Sequence, residues 1–438
     1  MPTALQIARS VPLISRSGQV LSCNGLAIEA RGPHCSLGEL CSVETADGVL
    51  HASVVGLRED RIILMPYGTP HGVMCGMPVR ALDRSSDLAM GPGLLGRVID
   101  ALGNPIDDQG AIPWEERRSL YSDGTAPLER EPVRDVLETG VRSIDALLTI
   151  GKGQRVGIFA GSGVGKSTLL GMLTSDAKVD VVVVALVGER GREVGDFIRH
   201  ALGEEGRKRA VVVAATADQP ALLRAQSVHA AHAIAEYFRE QGKDVLLVVD
   251  SITRFAMAQR EIGTAAGEPP AARGYPPSVF GWLPRIVERC GKWRDGGSIT
   301  AVYTVLVEGD DMNEPIADHM RAILDGHIVL NRELADRGQL PAVDVLRSIS
   351  RLMPQLASRD ELALARGVRA SLAIYERSRD LISMGAYQRG HDTALDAAVD
   401  CQPRLEAGLA QSPEETSTRQ GAMDVFATAL NSEREAET

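Results

Sequence analysis

The chain has few aromatic residues: 6 Phe, 7 Tyr and 3 Trp, or 4% of 438 residues. Stacking platforms for single-stranded nucleic acid need such side chains, and residues 18–82 contain only Tyr67. Positive charge is also in deficit, since 47 Lys and Arg face 58 Asp and Glu, a net charge of −11. Coating DNA or RNA requires clustered cations, so that function class is set aside. Cys23, Cys35, Cys41, Cys75, Cys290 and Cys401 are scattered with no CxxC spacing. This argues against a zinc ribbon or a disulfide framework and leads us to expect buried free thiols. No window approaches the roughly 20 apolar residues of a membrane span, and the start lacks a signal-peptide core. A soluble, cytoplasmic protein is expected. His34, His51 and His71 stand alone and read as solvated or structural rather than as ligands. No solenoid-type repeat is visible.

Apolar content of 44% and charged content of 24% are those of an ordinary globular protein. The length predicts two or three domains. The most informative stretch is residues 151–170, GKGQRVGIFAGSGVGKSTLL. An apolar strand around Val156–Phe159 leads into Ala160, Gly161, Ser162, Gly163, Val164, Gly165, Lys166, Ser167 and Thr168, and then into a helix. That strand, glycine loop and helix form the context of a phosphate-binding P-loop. The glycines let backbone N–H groups converge on phosphate oxygens, and the helix N-terminus adds partial positive charge. Lys166 would reach the β- and γ-phosphates, and Ser167 would place its hydroxyl on Mg2+. Ala160 stands where the strict pattern has Gly, which requires a negative φ there.

Around this loop the chain changes texture. From Gly18 to Leu82, short β-type runs (Gln19–Leu21, Leu26–Glu29, Arg61–Met65) alternate with turn signals and predict a small barrel or sandwich. Residues 91–127 are rich in Gly and Pro and read as a joint. The runs Val181–Val187, Ala210–Ala215 and Val245–Val249, separated by helical stretches such as Ala221–Gln241, predict a parallel sheet covered on both faces. Ligands of such sheets sit at the strands' carboxyl ends. Asp250 ends one of these strands, where a carboxylate is costly unless a cation meets it. It could hold the nucleotide's Mg2+, or be a turn residue. Glu189 follows another strand and could polarise an attacking water, with Arg190 steadying charged oxygens. The alternative is a solvated charge run capping a helix. Arg351, far along the chain, fits a surface salt bridge by default or an arginine finger acting in trans. Residues 261–281 read as a long Gly/Pro/Ala loop. From Arg359 onward the text is helical (Asp360–Ser371, Leu372–Leu381, Thr393–Leu409), and the last 25 residues are polar and expected to fray.

Nearly the whole chain, from Gly18 to Asp392, resembles the ATPases of bacterial type III secretion systems. This family includes the flagellar export ATPases and is related to the catalytic subunit of rotary ATP synthases. The resemblance is carried by the P-loop stretch, ALVGERGREVGDF at 185–197, VLLVVDSITRFAMAQREI at 245–262, GYPPSVFGWLPRIVERCG at 274–291 and PAVDVLRSISRLMP at 341–354. The run TVLVEGDDMNEPIADHMRAILDGHIVL within 297–334 is the most specific. The resemblance implies a β-barrel domain at 1–90, a RecA-like α/β P-loop core with a parallel sheet at 91–355 and a helical domain at 356–438. It implies a homohexamer hydrolysing ATP with Mg2+. Glu189 would be the general base, Arg190 and Arg254 phosphate-side residues, and Arg351 a finger from the adjacent subunit. Leu340 stands where relatives often carry an aromatic facing adenine, so base stacking is not expected there, and Tyr387 is a second candidate lining residue. The implied function is energising type III protein export by docking chaperone–effector complexes, releasing the chaperone and unfolding the cargo. Implied partners are stator and stalk proteins, with peripheral membrane association at the inner-membrane face through the apparatus. The flagellar export ATPase is the alternative.

Two other readings fit less well. A hexameric transcription-termination helicase also joins a small barrel to such a core, but predicts an aromatic, basic barrel. A rotary synthase subunit is disfavoured by the export-type run at 304–330.

Overall fold

The computed structural model describes residues 15–82, 86–122, 127–294, 296–307, 309 and 311–431. Six antiparallel strands form a closed barrel in the order Ser17–Cys23, Ile28–Arg31, Arg61–Pro66, Gly48–Arg58, Leu40–Thr45, Pro78–Ala81, which returns to the first. The expectation of a barrel or a sandwich thus resolves to a barrel. Its interior holds alternate residues, such as Ile28 and Ala30, Cys41 and Val43, Ala52 and Val54, Ile62 and Leu64, as the period of two requires. Gly18 crosses so near Gly32 that a Cβ on it would lie 2.2 Å from the Gly32 carbonyl group.

The core is a nine-stranded sheet. Its path runs Val343–Ser350, Gly326–Leu330, Arg155–Ala160, Ser298–Leu306, Asp244–Asp250, Val181–Glu189, Ala210–Thr216, Val98–Ile99, and all neighbours on it are parallel except the first two. The short strand Gly291–Lys292 joins off this path, antiparallel. The β-branched runs of the sequence are these strands. In Val181–Glu189 the residues Val181, Val183, Ala185 and Val187 pack into one core, and Val182, Val184 and Leu186 into the other. The first core lies under the helices Ala221–Glu240, Ile252–Ala266 and Pro277–Val287. The second lies under Arg142–Leu147, Lys166–Asp176 and the C-terminal helices. Burial on both faces explains why these strands show no polar alternation.

Three expectations need correction. The loop expected over 261–281 is shorter, because one helix runs on to Ala266 and the next begins at Pro277. The polar tail does not simply fray. Arg419–Asn431 is a helix burying Ala422, Met423, Phe426 and Ala429. Those four positions fall on one helical face and dock against Arg142–Leu147 and the two preceding helices. The cysteines are free, but Cys23 and Cys75 are exposed, and only Cys41, Cys290 and Cys401 are buried. No helix of the described residues is long and apolar enough to cross a membrane. Residues 1–14 and 432–438 lie outside the described residues.

Beneath the sheet lies a pair of buried histidines. His232 is bonded at Nδ1 to the Val228 carbonyl (2.7 Å) and at Nε2 to the Tyr303 hydroxyl (2.9 Å). His229 sits among Tyr121, Phe255 and Trp282, and its ring nitrogens have no hydrogen-bond partner. Burial, aided by the nearby Arg289 guanidinium, pushes His229 well below its ordinary value and His232 down to about 3. A depressed folded-state value means that the unfolded chain takes up protons first. The contribution is therefore complete above the unfolded value of roughly 6.5 and is lost as pH falls below it. His229→Leu removes no hydrogen bond. It should reduce the acid loss of stability by about 1.4 kcal/mol per pH unit below 6.5. Thermal midpoints measured from pH 7 to pH 5.5 check this, and parallel curves for the two proteins would show that His229 is not held neutral.

Candidate active site

The strand Arg155–Ala160 is buried over its last five residues and delivers the chain to the loop at its carboxyl end. Ala160 is the strand's last residue and is not among the residues with positive φ, so its methyl is accommodated. Gly163 (φ 76°) and Gly165 (φ 85°) take the left-handed conformation that side chains disfavour. Gly165 caps the helix Lys166–Asp176 without any side-chain hydrogen bond. The first N–H groups of that helix therefore face the loop, as anion binding needs. Val164 points into the core and is 1% exposed.

A cavity of about 1410 Å³ opens beside this loop. It is lined by the loop residues from Ala160 to Thr168 other than Val164, and by Glu189, Arg190, Asp250 and Arg254. Three strand ends converge here, which explains why residues so distant in sequence meet. The Lys166 ammonium pairs with Asp250 Oδ1 and lies 3.7 Å from Glu189 Oε1. Thr304 donates to the same Asp250 oxygen at 2.7 Å and fixes that carboxylate. Glu189 is 6% exposed and Asp250 4%. Burial pushes the Glu189 carboxyl up to about 7, with Lys166 pulling it down and Asp250 pushing it up. A base poised near neutrality is suited to accepting a proton from water. Arg254 folds back on the strand end, donating to the Gly188 carbonyl at 2.5 Å and approaching Glu189 at 3.4 Å. Gly188 makes this possible, for a Cβ there would lie 3.0 Å from Arg254 Cδ.

Other sequence candidates fall differently. Arg190 is the residue before the helix Gly191–Asp196, and its side chain is 77% exposed, 3.4 Å from Glu193. Leu340 lies beside the P-loop, its Cδ2 3.1 Å from where a Cβ on Gly165 would be, but it is not among the residues lining the cavity. Tyr387 does not line the cavity, because Asp396 holds its hydroxyl at 2.5 Å. From the C-terminal helical region, the cavity lining instead includes Pro413 and Glu414. Arg351 is also absent from the cavity. Its backbone N–H donates to the Asp325 carbonyl, and Asp325 pairs with Arg155, the first residue of the P-loop strand. The loop lies at the strand's other end, about 17 Å away at roughly 3.3 Å per residue, so Arg351 cannot reach its own P-loop. Sequence reading missed Arg332, which donates to the Ser162 carbonyl at 3.0 Å, and Thr304. Nothing in the sequence singled out Thr304, since its strand, Ser298–Leu306, also carries hydroxyls at Ser298, Thr300 and Tyr303.

Among the described residues no group of three or more His, Cys, Asp or Glu could hold a metal ion. Ser167 and Asp250 offer two hard oxygen donors in one cavity. That fits Mg2+, which takes one or two protein ligands and completes its shell with water and phosphates.

These features define a P-loop nucleotide hydrolase on a RecA-like sheet with a barrel before it and helices after it. Known proteins narrow the class. Residues 20–83 match the β-barrel domain and 140–350 the nucleotide-binding domain of the ATP synthase alpha/beta family. Residues 357–427 match the C-terminal domain of the type III secretion ATPase EscN. The flagellum-specific ATP synthase of Bacillus subtilis is 51% identical over 407 residues, covering 91% of this chain and 92% of that protein. The type 3 secretion system ATPase of Xanthomonas euvesicatoria is 45% identical over 413 residues, covering 94% and 93%. The assembled ATPase EscN of enteropathogenic Escherichia coli superposes with a TM-score of 0.90 at 41% identity, covering 94% of this chain and 100% of that one. The chain belongs to the ATPases of flagellar and type III export, a branch of the ATP synthase alpha/beta family, and is an ATP hydrolase.

Lys166→Ala removes the cation that faces both buried carboxylates beside the P-loop. ATP turnover should fall at least about 10²–10³-fold, and the thermal shift on adding Mg-ATP should vanish. Near-normal turnover of the purified variant would refute the assignment of this loop.

Proposed function

We propose that the protein works as a homohexamer that hydrolyses ATP to energise type III protein export, docking chaperone–effector complexes, releasing the chaperone and unfolding the cargo. The observation that carries the catalytic half is the convergence of Lys166, Glu189 and Asp250 at one end of the sheet. Glu189 accepts a proton from the attacking water, and its near-neutral value suits that task. The P-loop amides and Lys166 take up phosphate charge. Ser167 and Asp250 would hold a Mg2+ ion, which neutralises charge on the phosphate oxygens when bound. Arg254 keeps Glu189 oriented, and Arg190 reaches the phosphates from the cavity rim. Arg351 is the finger supplied to a neighbouring copy, since it is remote from its own loop. The assembled EscN relative and its complex with the central stalk EscO support a ring with a stalk partner. Stator contact through the barrel and recruitment to the inner-membrane face belong to the same proposal.

A second reading, flagellar export, is favoured by the 51% identity to the Bacillus flagellar protein against 45% to the Xanthomonas secretion ATPase. Deleting the gene separates the two: loss of motility with injected effectors intact selects the flagellar reading, and the reverse selects injection.

Glu189→Gln should retain nucleotide binding and lose turnover by about 10²–10⁴-fold. Loss of binding instead would make Glu189 a structural residue. Arg351→Ala should be inactive alone but regain partial activity when mixed with Lys166→Ala, because mixed rings contain interfaces with both an intact loop and an intact finger. Ring-forming mixtures without any rescue would rule out action in trans.

A further inference from the structure

The turn between the helices Thr393–Leu409 and Arg419–Asn431 contributes Pro413 and Glu414 to the lining of the nucleotide cavity. It is tied to the core by a buried polar knot. Gln411 is 4% exposed and Arg142 9%. The Gln411 side-chain oxygen accepts from the Arg142 backbone N–H at 2.8 Å, and its amide donates to the carbonyls of Gly140 (2.7 Å) and Glu415 (2.6 Å). The Gln411 backbone N–H donates to the Leu340 carbonyl at 2.8 Å. The Arg142 guanidinium donates to the Gly408 carbonyl at 3.0 Å, to the Ala410 carbonyl and to Glu415. The two side chains therefore join the start of the helix Arg142–Leu147 to the turn at 408–415, and the Gln411 backbone ties that turn to the Leu340 segment beside Gly165.

We infer that Arg142 and Gln411 are positioning residues that set the wall for the base of the nucleotide. The phosphates are fixed at the P-loop, so the base must extend away from it within the cavity. Beyond the loop, the cavity lining includes Gly171, Met172 and Ser175 of the P-loop helix and Pro413 and Glu414 of the turn. Pro413 and Glu414 line this cavity and Leu340 does not, so base affinity rests on how closely this turn approaches. A buried amide whose donors and acceptor are all used locks a turn in one place, and loosening it leaves polar groups unpaired. The inference rests on the chain being an ATP hydrolase and names what holds the base rather than the phosphates.

The test separates base from phosphate. Gln411→Met keeps volume and removes the amide, and Glu415→Ala loosens the knot from its half-exposed side. Gln411→Met should raise KM for ATP about tenfold with kcat changed less than about threefold, and Glu415→Ala should raise it about twofold to threefold. Inorganic tripolyphosphate, used as a competitive inhibitor without a base, should keep its Ki within about twofold in both variants. An unchanged KM in both variants overturns the inference, as does a parallel rise of KM for ATP and Ki for tripolyphosphate. Should Gln411→Met not fold, the split in Glu415→Ala alone decides. Absence of ATP turnover in the unaltered protein would instead strike the hydrolase assignment.

Discussion

Two buried carboxylates share one ammonium at the carboxyl ends of the core strands. Glu189 and Asp250 approach Lys166 from neighbouring strands. Bringing two acids out of water is costly unless a cation compensates both. This constraint requires the sheet register to place the ends of Val181–Glu189 and Asp244–Asp250 level with the P-loop. It requires Thr304, on the strand between Arg155–Ala160 and Asp244–Asp250, to hold one carboxylate, and Arg254 to fold back over the other. The apolar runs on both faces of the sheet make that register rigid, because packing at interior density allows little sliding.

The same arrangement divides labour within the protomer. The P-loop end of the sheet gathers the charges that meet a triphosphate. The opposite end carries Arg351, tied through Asp325 to the first residue of the P-loop strand. One strand's length thus separates Arg351 from the charges gathered around the P-loop. The C-terminal helices add a third contribution, since their connecting turn, not their long helices, reaches the cavity.

Much of this was legible in residues. The P-loop was legible because its geometry needs glycine at fixed places, and Gly163 and Gly165 occupy the left-handed conformation. The doubly buried strands were legible because parallel strands lose polar alternation. What was not legible followed from distance or from mixed patterning. The helix Arg419–Asn431 was hidden because its four buried positions sit among polar neighbours. Tyr387 was a plausible aromatic for the cavity, but nothing local signals that Asp396, nine residues on, holds its hydroxyl. Arg332 and the Arg142–Gln411 knot depend on contacts 170 and 269 residues apart along the chain, which no spacing rule reports.

The closed barrel carries a last implication. Every strand in it already has two neighbours, so no row of free backbone N–H and C=O groups is left for an incoming peptide to zip onto. Leu26, Leu37, Val49 and Met74 nevertheless project into solvent, each at least 60% exposed. Whatever meets this end of the molecule must read side-chain relief rather than extend a sheet, so its grip can be retuned one residue at a time without unravelling the barrel beneath.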